Sequence, residues 1–228
     1  MKALLLLAAG LAFAASVPAQ NTGFPFTNED LTYSVNWPSG LSLGEGHMHA
    51  QRSGNLWNFE LNIDAGVPGY QVKDTYRSIA SSEFCSSAFD RITSHGSRKT
   101  DEKETIKNGS VIRTTAGGGG ESQLASPDCL RDALTLLYFA RRELGQGRVP
   151  PAQQLLFGGL HQIRMEYAGA QTITIGEASV QSDKVICTIK SATSEFKFEA
   201  YFARDAARTP LLFKAGLAMG LFSLELVR

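Results

Sequence analysis

Hydrophobic and polar residues alternate with a period of two along most of this chain. "LTYSVNW" at 31–37 and "LWNFELNID" at 56–64 each put every second side chain on one face, the signature of a half-buried strand. The same pattern returns in "QVKDTYRSIA", "QIRMEYAG", "QTITIGEASV", "DKVICTIKS", "EFKFEAYFA", "PLLFKAGLA" and "LFSLELVR". Turn-forming residues punctuate these runs at Pro38-Ser39-Gly40, Ser53-Gly54-Asn55, Pro68-Gly69 and Ala168-Gly169-Ala170. Asn108-Gly109, between "KETIK" and "SVIRTT", predicts a two-residue hairpin because both residues tolerate positive φ. Strands that are polar on one face imply an antiparallel sheet with one side on a core and the other in water.

One stretch, "SPDCLRDALTLLYFARRELGQGR", breaks the alternation. Leu130, Ala133, Leu134, Leu137, Phe139 or Ala140, and Leu144 recur at helical spacing. Ser126 is the expected N-cap, with Pro127 in the first turn and Asp128 complementing the dipole. Arg141 and Arg142 fall in the last turns, and Gly145 or Gly147 ends the helix. The expected fold is mainly β: a large curved antiparallel sheet, half-barrel or barrel-like, with one main α-helix packed on it.

The N-terminus adds a compartment. "MKALLLLAAGLAFAASVPAQ" carries a positive Lys2, an apolar run at 3–15, and small residues Val17 and Ala19 before Gln20. That order predicts a signal peptide over 1–19, too short for a membrane anchor, cut near Ala19-Gln20 to leave a periplasmic or secreted product. No cysteine lies at the cut, which argues against a lipid anchor. Residues 20–228 then read as a single β-rich domain. The formal charge is zero, and no basic stripe with interleaved aromatics occurs, so nucleic acid is excluded as a partner. The next most apolar segment, 211–222, contains Lys214 and two glycines and predicts no transmembrane anchor. Three cysteines in an exported chain leave three pairings open. Cys85 and Cys129, both at element boundaries rich in Ser, Asp and Pro, are the expected bridge; Cys187 lies in an alternating run as a small buried hydrophobe.

"LTYSVNWPSGLSLGEG", "FCSSAFDRITSHGSRKTDEKETI", "DALTLLYFARRELGQGRVPPAQ", "YFARDAARTPLLF" and "GLFSLELVR" follow one another along the chain. In that order they resemble the bacterial domain-of-unknown-function family 3108 over nearly all of 20–228. The resemblance implies an exported, β-rich domain of Gram-negative envelopes and brings no catalytic residue with it. The expected architecture is also similar, at the level of fold alone, to the half-barrel lipoprotein carriers of the periplasm, whose curved sheet and helices enclose an apolar ligand.

Candidate chemistry is sparse. Gly40-Leu41-Ser42-Leu43-Gly44 spells G-x-S-x-G, but a nucleophile elbow needs a strand, a sharp turn and a helix, and this serine continues into a strand. His47 and His49 share a strand face, and a metal site there needs His95, Asp64 or Glu45 to converge. "SRKTDEKETIK" reads as a solvated strand pair with cross-strand ion pairs. Arg141, Arg142, Arg148, Arg204 and Arg208, with Glu143 and Asp205 nearby, read as clamps on the helix end and the Pro150-Pro151 loop, ahead of an anion or lipid-headgroup contact. The run Gly117–Gly120 lacks the P-loop lysine, Glu121 standing in its place, and reads as a slack connection or hinge before the helix. No catalytic residue, metal ligand or cofactor is assigned. The expectation is a non-enzymatic protein that binds or carries a lipid or other apolar or amphiphilic envelope molecule between sheet and helix. Trp37, Trp57, Phe59, Tyr138 and Phe198 are its candidate contacts. The alternatives are an envelope scaffold or protein-interaction module using the sheet edges, with an envelope protein as partner, and less favourably a hydrolase at Ser42 or at His47 and His49.

Overall fold

The computed structural model describes residues 24–217 and 220–227. Fifteen strands form one sheet: β1 (Asn28–Asn36), β2 (Ser42–Ser53), β3 (Leu56–Val67), β4 (Tyr70–Ser81), β5 (Ser86–His95), β6 (Arg98–Lys107), β7 (Ser110–Thr115), β8 (Gly120–Ala125), β9 (Arg131–Asp132), β10 (Gln153–Leu156), β11 (Leu160–Ile175), β12 (Ala178–Lys190), β13 (Glu195–Ala203), β14 (Pro210–Leu217) and β15 (Gly220–Leu226). The order across the sheet is β8-β7-β6-β5-β4-β3-β2-β1-β15-β14-β13-β12-β11-β10-β9. Every pairing is antiparallel except that of β9 with β10. The alternation works as the sequence implies. Along β2, Gly46, Met48 and Ala50 are buried while His47 and His49 face out.

The sheet curls until its two halves meet. Ser86, opening β5, donates its amide to the Leu130 carbonyl beside β9 at 2.9 Å. Phe157, at the β10–β11 turn, lies on Tyr76 of β4 and Phe89 of β5. Strands β6 to β8 run on past this seam. The Cys85–Cys129 disulfide staples it, since Cys85 immediately precedes β5 and Cys129 comes just before β9.

Turns follow the local chemistry with two exceptions. Asn108 and Gly109 sit at φ 52° and 70° and turn β6 into β7. Residues 168–170, expected to turn, instead form a bulge inside the long strand β11. The turn comes later, within the run "QTITIGEASV", where Gly176 separates β11 from β12. Gly117–Gly120 makes the tip of the β7–β8 hairpin, so β8 and the disulfide stand between it and the helix. The run turns a hairpin; it is not a hinge at the start of the helix.

Helix α1 (Ala133–Gly145) lies on the concave face. Its cap lies six residues after the expected one. Asp132, not Ser126, is the N-cap, its Oδ1 accepting from the amides of Leu134 and Thr135 at 2.9 and 3.0 Å. The physical reason is that the intervening residues are committed elsewhere, Cys129 to the bridge and Leu130 and Arg131 to the seam. Asp132 is fully buried, and its Oδ2 accepts from the hydroxyls of Ser78, Ser86 and Thr135. Burial pushes its pKa up, against five hydrogen bonds that favour the carboxylate. One residue therefore caps the helix and ties it to β4 and β5.

Candidate functional site

The helix meets the sheet on several faces, and one of these contacts is incomplete. Ala133, Leu137, Ala140 and Leu144, spaced i, i+4, i+7, i+11, form a stripe facing strands β11 to β14. Between them is a cavity of about 220 Å³. Its far wall is Met165, Val185, Cys187, Phe198, Ala200 and Phe213. The volume exists because small residues, Ala133 and Ala140 on the helix and Ala200 on β13, face one another where larger ones would fill the layer. The lining is apolar, with the Cys187 thiol its one weakly polar group, so the cavity offers dispersion contacts and desolvation.

Of the aromatic candidates read from the sequence, Phe198 lines this cavity. Trp57, Phe59 and Tyr138 come together elsewhere: Phe59 stacks on Tyr138 at 4.2 Å and on Trp57 at 5.8 Å. Phe24, Phe26 and Phe84 complete that aromatic core. Trp37 lies at the hairpin end of β1, edge-on to Phe222 at 4.9 Å. The aliphatic liners escape a sequence reading because the helical stripe that carries them also looks like ordinary core; its alanines, facing alternating strands, are the usable signal.

Cys187 forms part of the wall as a free, buried thiol, as its strand position implies. Burial pushes its pKa up to about 12. Native protein is therefore expected to resist a charged thiol reagent, reacting stoichiometrically only after unfolding. Rapid labelling of folded protein, followed by mass spectrometry, would show that this wall is open to solvent.

The arginines act as clamps. Arg141 is fully buried and forks onto Glu29 at 2.6 and 2.7 Å, its Nε donating to the Ala207 carbonyl at 3.0 Å. Arg148 pairs with Glu143, while Arg204 and Arg208 both reach Asp183 on β12. Asp205 instead accepts from the amide and hydroxyl of Thr209. The charged strand pair is less solvated than its composition suggests. Glu102 and Glu104 face the concave side and pair with Arg91 and Arg113. Burial raises the pKa of Glu104, and Arg113 opposes that shift.

The remaining candidates stay apart. Ser42 opens β2 with its hydroxyl 3.3 Å from that of Ser34. His47 lies beside Glu45, His49 beside Asp30, His95 beside Asp74, and Asp64 pairs with Lys73. Among the described residues no three His, Cys, Asp or Glu side chains converge as a metal site. None of the described helices is long and apolar enough to cross a membrane. The signal peptide and its cleavage point lie outside the described residues. The formed disulfide is the chemistry of an oxidising, extracytoplasmic compartment.

Among solved structures, the chain is similar to a β-barrel-like protein of domain of unknown function DUF1849 from Brucella abortus. That match has a TM-score of 0.66 at 6% identity, covering 90% of this chain and 98% of the other. At this identity the likeness shows the fold alone. A second similarity, to the lipoprotein LppX of Mycobacterium tuberculosis, has a TM-score of 0.29 at 13% identity and covers 87% and 84% of the two chains. No curated protein matches in sequence. The family model described as "Protein of unknown function (DUF3108)" matches residues 32–227, from within β1 to just past β15, and the chain belongs to that family.

Proposed function

We propose that this is an exported periplasmic protein, cut near Ala19-Gln20, that holds the apolar chain of an envelope amphiphile without transforming it. The observation that carries this reading is the apolar cavity of about 220 Å³ between α1 and strands β11 to β14. It exceeds the roughly 150 Å³ apolar cavity that takes up a benzene and stays dry when empty. It falls short of the roughly 300 Å³ at which drug-sized sites begin. One slender chain fits that interval, and a branched or multi-ring ligand does not.

The test pairs identification with a block. Solvent extraction of natively purified protein, followed by mass spectrometry, is expected to release a single-chain amphiphile. Parinaric acid, a single-chain polyene fluorophore, should bind and brighten in the emptied protein. Replacing Ala140 and Ala200 by leucine fills the gap from both walls and should lower probe affinity by about tenfold or more, since each adds methylenes where the ligand would lie. Equal probe affinity in that variant, with its melting temperature held, would sink the proposal.

A further inference from the structure

Three neighbouring hairpins gather exposed apolar residues at one end of the sheet, whereas others as exposed, such as Leu56, Tyr167 and Val227, are scattered elsewhere. In an antiparallel meander alternate turns lie at one end, so the tips of β14–β15, β1–β2 and β3–β4 stand in a row. The registers bear out the alignment: Phe213, Leu224, Val35, Gly44, Ala65 and Val72 form one continuous line across the six strands. Beyond that line Leu41 is 63% exposed, Leu221 51%, Leu217 48% and Tyr70 46%. Adjacent tips are roughly 10 Å apart, two strand spacings.

The charge pattern is as informative as the exposure. No Asp, Glu, Lys, Arg or His occurs in 35–44, 65–72 or 215–224. Charges resume just below, with Glu45, the Asp64–Lys73 pair and Lys214. The half-buried Trp37–Phe222 pair and the phenol of Tyr70 sit at the boundary. Apolar tip, then aromatic, then charge is the depth order of a bilayer interface. On one flank the next tip at this end, β5–β6, presents exposed Arg98 and Lys99. Three separate tips with one or two large side chains each do not supply the continuous, complementary area of a stable protein interface. Insertion into lipid requires no such complementarity.

We infer that this end of the barrel docks on an anionic phospholipid surface, with Leu41, Leu217, Leu221 and Tyr70 entering the interface and Arg98 and Lys99 meeting the headgroups. The docking surface goes beyond the cavity reading and stands without it. Ile163, Ile189 and Phe198, at the ends of their strands nearest this surface, do border the cavity, which places its upper part toward the lipid.

The test is flotation of the mature chain with vesicles of phosphatidylcholine alone and of phosphatidylcholine with phosphatidylglycerol. Binding is expected to favour the anionic vesicles, and brominated lipid should quench Trp37, since Trp57 is buried in the core. Leu41→Asp and Leu217→Asp, at exposed positions where folding is unaffected, should each lower partitioning by about tenfold. Arg98→Ser with Lys99→Ser should abolish the preference for phosphatidylglycerol. Retained flotation of the Ala140→Leu/Ala200→Leu variant supports docking by the tips; its loss would mean that vesicles act only as ligand donors to the cavity, and would overturn the inference. So would undiminished flotation of the aspartate variants, absence of binding by the wild type, or a monomer–dimer equilibrium without lipid that those aspartates disrupt.

Discussion

Replacing Cys85 and Cys129 by serine lowers the stability of the domain by about 4 kcal/mol, measured by urea unfolding at neutral pH. The bridge joins residues 44 apart in sequence, and the loop-closure entropy it removes from the unfolded chain sets that figure. A fall in melting temperature of about 10 °C should accompany it in a domain of this size. Position makes the loss local as well as global. The bridge holds β9 against β5, and without it the seam depends on the Ser86–Leu130 backbone bond and on Asp132's bonds to Ser78 and Ser86. Hydrogen exchange should therefore rise first at the Ser86 amide. Dithiothreitol should shift the wild type toward the double-serine variant and leave that variant unchanged. A loss below about 1 kcal/mol would show that the seam is held by packing alone.

The strands are legible in the sequence because one face of each is buried and the other wet, so burial writes itself as alternation. Legibility fails where a contact is non-local. Ser126-Pro127-Asp128 has the local chemistry of a helix start, yet pairing with β5 and the bridge to Cys85 claim the next residues, and Asp132 becomes the cap. Residues 168–170 look like a turn, but the long ladder of β11 with β12 absorbs them as a bulge. The polar run on β6 looks solvated because nothing in it shows that β10 and β11 will cover its concave face. The aromatic residues stand out in any reading of composition, whereas the cavity is made by what is small: Ala133, Ala140 and Ala200 leave space without leaving a motif. The bridge is legible because three cysteines leave three pairings, and Cys85 and Cys129 both sit at element boundaries while Cys187 lies within an alternating run.

Arg141→Met is expected to cost about 3–5 kcal/mol, a loss large enough to compete with that of the disulfide. The pair it breaks joins residues 112 apart and lies almost wholly out of water, with Arg141 fully buried and the Glu29 side chain 10% exposed. Removing the guanidinium strands the Glu29 carboxylate, leaves the Ala207 carbonyl without its donor, and takes the cation from beside the rings of Phe24, Phe26 and Tyr138. Arg148→Ala, which breaks a pair at a 61% exposed arginine, should cost under about 1 kcal/mol. The double variant Arg141→Met/Glu29→Leu separates the two origins of the loss. If the penalty comes from an abandoned buried charge, the double variant recovers much of it, and the coupling in the cycle is about 2 kcal/mol or more. If it comes from lost packing, the two changes add. The same cycle reaches the cavity, because Arg141 holds the helix whose Ala133, Leu137, Ala140 and Leu144 form the cavity's inner wall. Arg141 does not line the cavity, yet Arg141→Met should weaken fluorophore binding by letting the helix settle toward β11–β14 and close the gap. Unchanged probe affinity beside a full loss of stability would confine the clamp to folding.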